Sequence, residues 1–407
     1  ATTTARCVFV LAGIASLSCG GDVVRMGPDA AFDGATDAST EDASGPLPEG
    51  LADGLTISEV ALFQTVAVDF VRDGSEVDSE VPLLAGKDAR LRIGVQASDA
   101  WRETDVVAAV HWDEHELRQL RRIAGSTTNA RASAFELVVP AAWLRTDSEF
   151  AVELRTRDGS DPATAAHPAR HPSERARLRP AGAVQNGGLD VVFVPVRYQV
   201  DGADRGSVFD DAERAEVAAL LVAMLPLAPD QLRITTADEL LWTGTIDRGG
   251  AGLEPLLDAV RTRRQDDGVS PETHYVALVT PDDTRAGFCG ASCTTGLSQV
   301  VPLDASALRV SVVVWFPDDE GARTVVHELA HTFGRRHAPC GVADDLDPAF
   351  PFGDGSIGVV GYDARRDTMF PPETKDFMGY CAPSWISAYH YAAIYERFVA
   401  VTGPRPL

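Results

Sequence analysis

The chain is 407 residues long and 43.3 kDa, more than one ordinary domain holds, so two or three domains are expected. Hydrophobic residues make up 45% and charged residues 24%, the balance of a globular protein. A net charge of −24, with Lys87 and Lys375 the only lysines, excludes a nucleic-acid backbone binder and leaves no polybasic stretch for an anionic membrane surface.

At the N-terminus Arg6 precedes the apolar run CVFVLAGIASLS. A bilayer span needs about 20 apolar residues, so the run reads instead as the core of an export signal over residues 1–19. Its end, Cys19-Gly20-Gly21, resembles a bacterial lipoprotein processing site, in which Cys19 would be lipidated and anchor the chain to the membrane. Ser16 stands where that pattern prefers Leu, and a plain secretory signal is the alternative. Either route takes the chain to the bacterial cell envelope or surface, or into the medium, where disulfides persist. Residues 20–53 carry eight acids and one arginine among Gly, Pro, Ala and Ser. Too little apolar surface is available there to order a chain, so a disordered acidic spacer is expected.

Residues 54–180 contain short alternating runs such as TISEVALFQTVAVDFV, DARLRIGVQ, DVVAAVHWD and SEFAVELRTR, separated by turn residues. They predict an antiparallel β-sandwich domain. The Pro- and Arg-rich stretch that begins SDPATAAHPARHPSERARLRP lacks periodicity and reads as an exposed linker at the end of that domain. From 187 to 407 strands and helices alternate. Leu189–Val196, His274–Val279, Gly296–Val301 and Val310–Phe316 read as strands, and Asp211–Leu225 and Gly252–Arg264 as helices with apolar residues at helical spacing. A twisted, mostly parallel sheet with helices packed on it is expected, in an α+β or α/β class.

Chemistry concentrates in His327-Glu328-Leu329-Ala330-His331-Thr332-Phe333-Gly334-Arg335-Arg336-His337. On a helix, residues four apart share a face, so His327 and His331 can address one metal ion. Gly334 is suited to end the helix in a left-handed turn that brings His337 back to the same point. Three imidazoles with a fourth position open describe a catalytic zinc site, and Glu328 beside the first ligand is placed to act as general base on a metal-activated water.

These residues resemble the metzincin clan of zinc endopeptidases, whose signature H-E-x-x-H-x-x-G-x-x-H is followed by a methionine turn. The resemblance covers residues from about 189 to 407 and implies a Met downstream, which Asp376-Phe377-Met378-Gly379-Tyr380-Cys381 supplies. It also implies that Met378 underlies the metal and that Tyr380 ligates it or stabilises the transition state. More narrowly, VPLLAGKDARLRIGV and WISAYHYAAIY look like segments of bacterial mucin-cleaving metzincins.

Other candidates are weaker. His111 and His115 have metal-like spacing but fall in strand-rich sequence, where residues four apart are about 13 Å apart. His167 and His171 fall in the linker stretch, Asp344, Asp345 and Asp347 lack a regular calcium-loop spacing, and His390 reads as packing in a C-terminal helix. Of the connectivities open to Cys289, Cys293, Cys340 and Cys381, pairing 289 with 293 and 340 with 381 is expected. The sequence therefore predicts an exported, monomeric zinc endopeptidase acting on extracellular protein or glycoprotein, with the Gly296–Val301 strand as an edge for extended substrate. The alternative is a surface adhesion or carbohydrate-binding lipoprotein with a vestigial peptidase domain.

Overall fold

The computed structural model describes residues 45–125, 134–160, 166–174, 177–185, 187–342 and 344–403, together with the backbone of Arg6–Ala12. The expected lipidation site Cys19 and most of the expected spacer lie outside the described residues. The chain divides into two compact units, residues 26–185 in one and residues 1–25 with 186–406 in the other. No helix among the described residues is long and apolar enough to cross a membrane.

The longer strands of the 26–185 unit are β1 (Leu55–Phe63), β2 (Ala67–Arg72), β3 (Ala89–Ala97), β4 (Thr104–Trp112), β5 (His115–Ile123), β6 (Ala134–Val139) and β7 (Glu149–Thr156). They form two antiparallel sheets, one ordered β2-β1-β3-β6 and the other β7-β4-β5. Leu91 and Ile93 of β3, Phe135 of β6, Trp112 of β4 and Phe150 of β7 enter one common core. Phe150 stacks on Trp112 at 5.1 Å and meets Phe70 edge-on at 5.0 Å, an arrangement that adds to the area each ring buries.

Two expectations are corrected in this unit. Gly50–Leu51, inside the expected spacer, pairs with β7 and is buried. Arg170–His171 and Arg179–Pro180, inside the expected linker, also pair with β7, and the Arg170 guanidinium reaches Glu153 at 3.1 Å. Two-residue strands are too short to show alternation, so neither pairing leaves a periodic trace in the sequence. His111 lies beside Glu116 and Glu153, at 3.3 and 3.5 Å, and His115 stacks on Trp143 at 4.1 Å. His167, which the sequence left in an exposed linker, is buried against Asp53 at 3.1 Å.

The 186–406 unit contains β8 (Leu189–Val200), β9 (Ala203–Gly206), α1 (Asp211–Met224), β10 (Leu232–Thr236), β11 (Leu240–Trp242), α2 (Leu253–Asp266), β12 (His274–Val279), α3 (Arg285–Cys289), β13 (Ser292–Gln299), β14 (Val310–Val314), α4 (Asp319–Thr332) and α5 (Ala388–Thr402). Strands β10 and β11 pair parallel with β8, β8 with β12, and β12 with β14. Strand β13 runs antiparallel to β14, and β9 antiparallel to β8. The sheet is therefore mixed, parallel from β10 and β11 through β8 and β12 to β14 and antiparallel where β13 and β9 join it, in a mixed α+β fold, where the sequence reading expected a mostly parallel one. A parallel return needs a long crossover, usually a helix. Neither the one-turn α3 before β13 nor the short link from β13 to β14 provides it.

The expected Gly296–Val301 strand is displaced toward the N-terminus, to Ser292–Gln299. Arg6–Ala12, from the expected export segment, pairs antiparallel along its outer side, so this segment occupies the edge that the sequence reading left for substrate. Helix α1 starts with a full capping box between Asp210 and Glu213. Helix α4 starts at Asp318, whose side chain accepts from the Gly321 amide at 2.7 Å, and it is buried from Thr324 to Thr332.

Candidate metal centre

Helix α4 delivers His327, Glu328 and His331 into the interior with exposures of 1%, 0% and 0%. Its end is set by Gly334, whose φ of +85° is a left-handed conformation that glycine alone enters freely. The Gly334 and Arg335 amides close the last turn on the carbonyls of His331 and Ala330, at 2.9 and 3.0 Å. The chain then reverses, and His337 returns to the helix. Its amide donates to Asp345 O at 3.2 Å and its carbonyl accepts from Asp347 at 2.8 Å. Asp344, Asp345 and Asp347, weighed in sequence as calcium ligands, thus form a turn that supports the third imidazole.

The ligand atoms of His327, His331 and His337 lie within 4.8 Å of one another, and no other such group occurs among the described residues. In each ring Nδ1 faces a backbone carbonyl: Phe377 at 2.9 Å for His327, Arg335 at 2.8 Å for His331 and Asp344 at 3.0 Å for His337. Such contacts select the tautomer with the proton on Nδ1 and leave Nε2 with its lone pair. Burial, with the charge of the neighbouring imidazoles, pushes His327 well below its ordinary range and His331 to about 3. Burial lowers His337 as well. All three rings are therefore neutral at pH 7, the state that binds metal.

The fit to a cation rests on one observation. His331 Nε2 is buried with no hydrogen-bond partner among the described residues, a costly state for a polar atom unless an ion satisfies it. These three residues can hold a metal.

Glu328 has its carboxyl pushed up to about 8 by burial, with the neighbouring Ser298 hydroxyl opposing the rise. Its carboxylate lies against the backbone of β13 so closely that a Cβ on Gly296 would stand 2.3 Å from Glu328 Oε1. The Tyr380 hydroxyl lies 3.3 Å from His337 Nε2. Met378 is fully buried, and its carbonyl accepts from Ala338 at 3.2 Å. Disulfides join Cys289 to Cys293 and Cys340 to Cys381. The second ties the loop after His337 to the segment carrying Tyr380, beside the Tyr380 amide's bond to Cys340 O at 2.7 Å.

Sequence reasoning missed the groups that orient the imidazoles. Backbone carbonyls have no residue signature, and Gly296 was read only as part of a strand. Asp376, fully buried two residues before Met378, stood in the quoted motif without a role. His390 does pack within α5, apart from the three-histidine group, and its ring faces Asp376.

The sequence matches no family model and none of the curated proteins it was compared with. Among solved structures it is similar to a metalloproteinase-II from Bacteroides fragilis, with 12% identity, 76% of this chain and 82% of that chain covered, and a TM-score of 0.27.

Proposed function

We propose that this chain is an exported zinc endopeptidase of the metzincin type that hydrolyses protein or glycoprotein outside the cytoplasm. The observation that carries the reading is the buried trio of neutral imidazoles with Glu328 embedded beside them. His327, His331 and His337 would hold the ion, and Met378 would lie beneath them. When bound, zinc supplies a Lewis acid that makes water nucleophilic at neutral pH and polarises the scissile carbonyl.

The chain's own residues do the rest. A cation among the imidazoles would favour the ionised form of Glu328, opposing the burial that pushes its carboxyl up to about 8. As carboxylate, Glu328 accepts the proton of the attacking water and then donates it to the leaving amine. Tyr380, whose hydroxyl lies beside His337, would donate a hydrogen bond to the oxyanion that develops on the substrate carbonyl. Strand β13 offers backbone groups for an extended peptide once its outer side is clear. The two disulfides suit an oxidising compartment. A lipid anchor at Cys19 would hold the enzyme at the cell surface.

The test is cleavage of casein and of mucin by zinc-loaded protein, with and without a chelator, beside Glu328→Gln. The variant is expected to retain zinc and lose at least 10²–10⁴-fold in turnover, as on removal of a general base. Equal turnover by fully metal-loaded Glu328→Gln would refute the assigned role. Chelator-insensitive cleavage would refute the class. Binding of glycans without any cleavage would favour an adhesion protein.

A further inference from the structure

We propose that His390 is a positioning residue of the candidate metal centre: its imidazole holds the buried Asp376 carboxylate, which fixes the peptide that orients His327. The inference rests on the metallopeptidase reading above.

Asp376 and His390 are both fully buried. One carboxylate oxygen, Oδ1, accepts from the Met378 amide at 2.7 Å and stands 2.9 Å from His390 Nδ1, while Oδ2 accepts from the Ser387 amide at 2.9 Å. Ser387 in turn caps α5, its hydroxyl accepting from the His390 amide at 3.1 Å. Between Asp376 and Met378 lies Phe377. Its amide donates to Trp385 O at 2.8 Å, and its carbonyl is the group 2.9 Å from His327 Nδ1. A continuous set of contacts thus runs from the first turn of α5, through Asp376, to the first candidate ligand.

The surroundings of His390 do not call for an imidazole. The rings of Phe350, Phe377 and Tyr389 surround it at 5.3, 6.0 and 5.2 Å, an environment that suits an apolar side chain. Nε2 is buried with no hydrogen-bond partner among the described residues, a cost that an apolar side chain would avoid. What the imidazole adds is the Nδ1 donor on Asp376. Without it Oδ1 keeps only the Met378 amide as donor, and the carboxylate is held by two contacts instead of three. The Met378 amide and the Phe377 carbonyl can then shift, and His327 with them. A group in direct contact with a ligand, as the Phe377 carbonyl is with His327, commonly changes metal affinity or activity by about 10–100-fold; His390 reaches that group only through Asp376, so its effect falls at or below the lower end of that range.

Two variants separate positioning from packing. His390→Met keeps the approximate volume and removes the donor; His390→Asn keeps a donor near the Nδ1 position and removes the ring. The readouts are the visible absorption of cobalt-substituted protein, zinc affinity by competition with a chromogenic chelator, kcat, KM and Tm. His390→Met is expected to shift the cobalt bands and weaken zinc by up to about 10-fold. It should also lower kcat while KM changes on the order of twofold or less, and His390→Asn should restore all of these toward wild type. A Met variant with the wild-type cobalt spectrum and zinc affinity but a lower Tm would reduce His390 to packing. So would an Asn variant as perturbed as the Met one. Should the Met variant fail to fold, the Asn variant decides by itself, a wild-type spectrum supporting the inference and a shifted one overturning it. Failure of the underlying reading shows elsewhere: a wild-type chain that takes up neither zinc nor cobalt removes both, and one that binds metal but cleaves nothing removes the peptidase reading alone.

Discussion

Adding a methyl group at Gly296 would probe how closely Glu328 is held against β13. An alanine Cβ there meets Glu328 Oε1 at 2.3 Å and its Cδ and Cγ at 2.6 Å, where ordinary contact begins at 3.4 Å. The carboxylate must therefore retreat by about 1 Å, and displacement on that scale can cost about 10²-fold in rate. That corresponds to about 2.7 kcal/mol of transition-state stabilisation. Overpacking a buried site costs roughly 1–3 kcal/mol. At about 2–4 °C per kcal/mol for a unit of this size, Tm should fall by several degrees. Zinc content should not change, because each imidazole is oriented by a carbonyl outside β13. The assay is kcat/KM on a fluorogenic peptide with metal content measured on the same sample. A double variant, Gly296→Ala with Glu328→Ala, removes the three atoms nearest the new methyl and should recover Tm without recovering activity. Wild-type turnover in fully loaded Gly296→Ala would refute the argument that Glu328 works from the position it holds against β13.

Further outcomes follow from other parts of the chain. Tyr380→Phe should lower kcat by about 10²–10³-fold, the usual loss of an oxyanion donor, while zinc affinity measured by chelator competition stays near wild type; unchanged kcat would make Tyr380 a packing residue. Cys340→Ser with Cys381→Ser opens a loop of sequence separation 41, costing roughly 3–4 kcal/mol in the chain-entropy model, and should lower Tm by on the order of ten degrees; an unchanged Tm would refute that estimate. In the 26–185 unit, burial pushes Lys87 down from 10.5 to about 7, with its ammonium on Thr65 Oγ1 at 2.9 Å. Between those values the unfolded chain holds a proton that the folded one lacks, so Lys87 makes stability rise with pH, by up to about 1.4 kcal/mol per unit. The penalty is complete below about pH 7 and gone above about 10.5. Urea unfolding at pH 7 and pH 9 should show wild type gaining on Lys87→Met as pH rises, and parallel curves would refute the burial cost.

What was legible in the sequence was what local rules encode. The spacing of His327, Glu328 and His331 on one helix, the glycine that ends it and the return of His337 all lie within a few turns of chain. Strand His274–Val279 and the core of α2 likewise follow from periodicity within a single segment. Long-range closure was not legible. Pairing of Arg170–His171 with β7 leaves two residues of evidence in a Pro-rich stretch. The direction of β13 depends on which strand it joins, and its own composition carries no record of that choice. Gly296 makes the same point at atomic scale, because only the approach of Glu328 from another element distinguishes it from a glycine in any strand.

The three imidazoles also differ in how far along the chain their orienting carbonyls lie. For His331 the carbonyl is four residues on, for His337 seven, and for His327 fifty. The first contact forms with the end of α4 itself, at the loop-closure cost of one helical turn. The third requires the segment carrying Phe377 to return across a long loop, and closure entropy rises with that length. The Cys340–Cys381 bond shortens the effective loop, and the Asp376–Ser387 hydrogen bond fixes the segment on which the Phe377 carbonyl sits. Disturbing the C-terminal segment should therefore loosen His327 before His331, although both sit on the same helix and read identically in the motif. The metal affinity of the candidate site should therefore respond to residues near 376–390 as well as to the helix that supplies two of the candidate ligands.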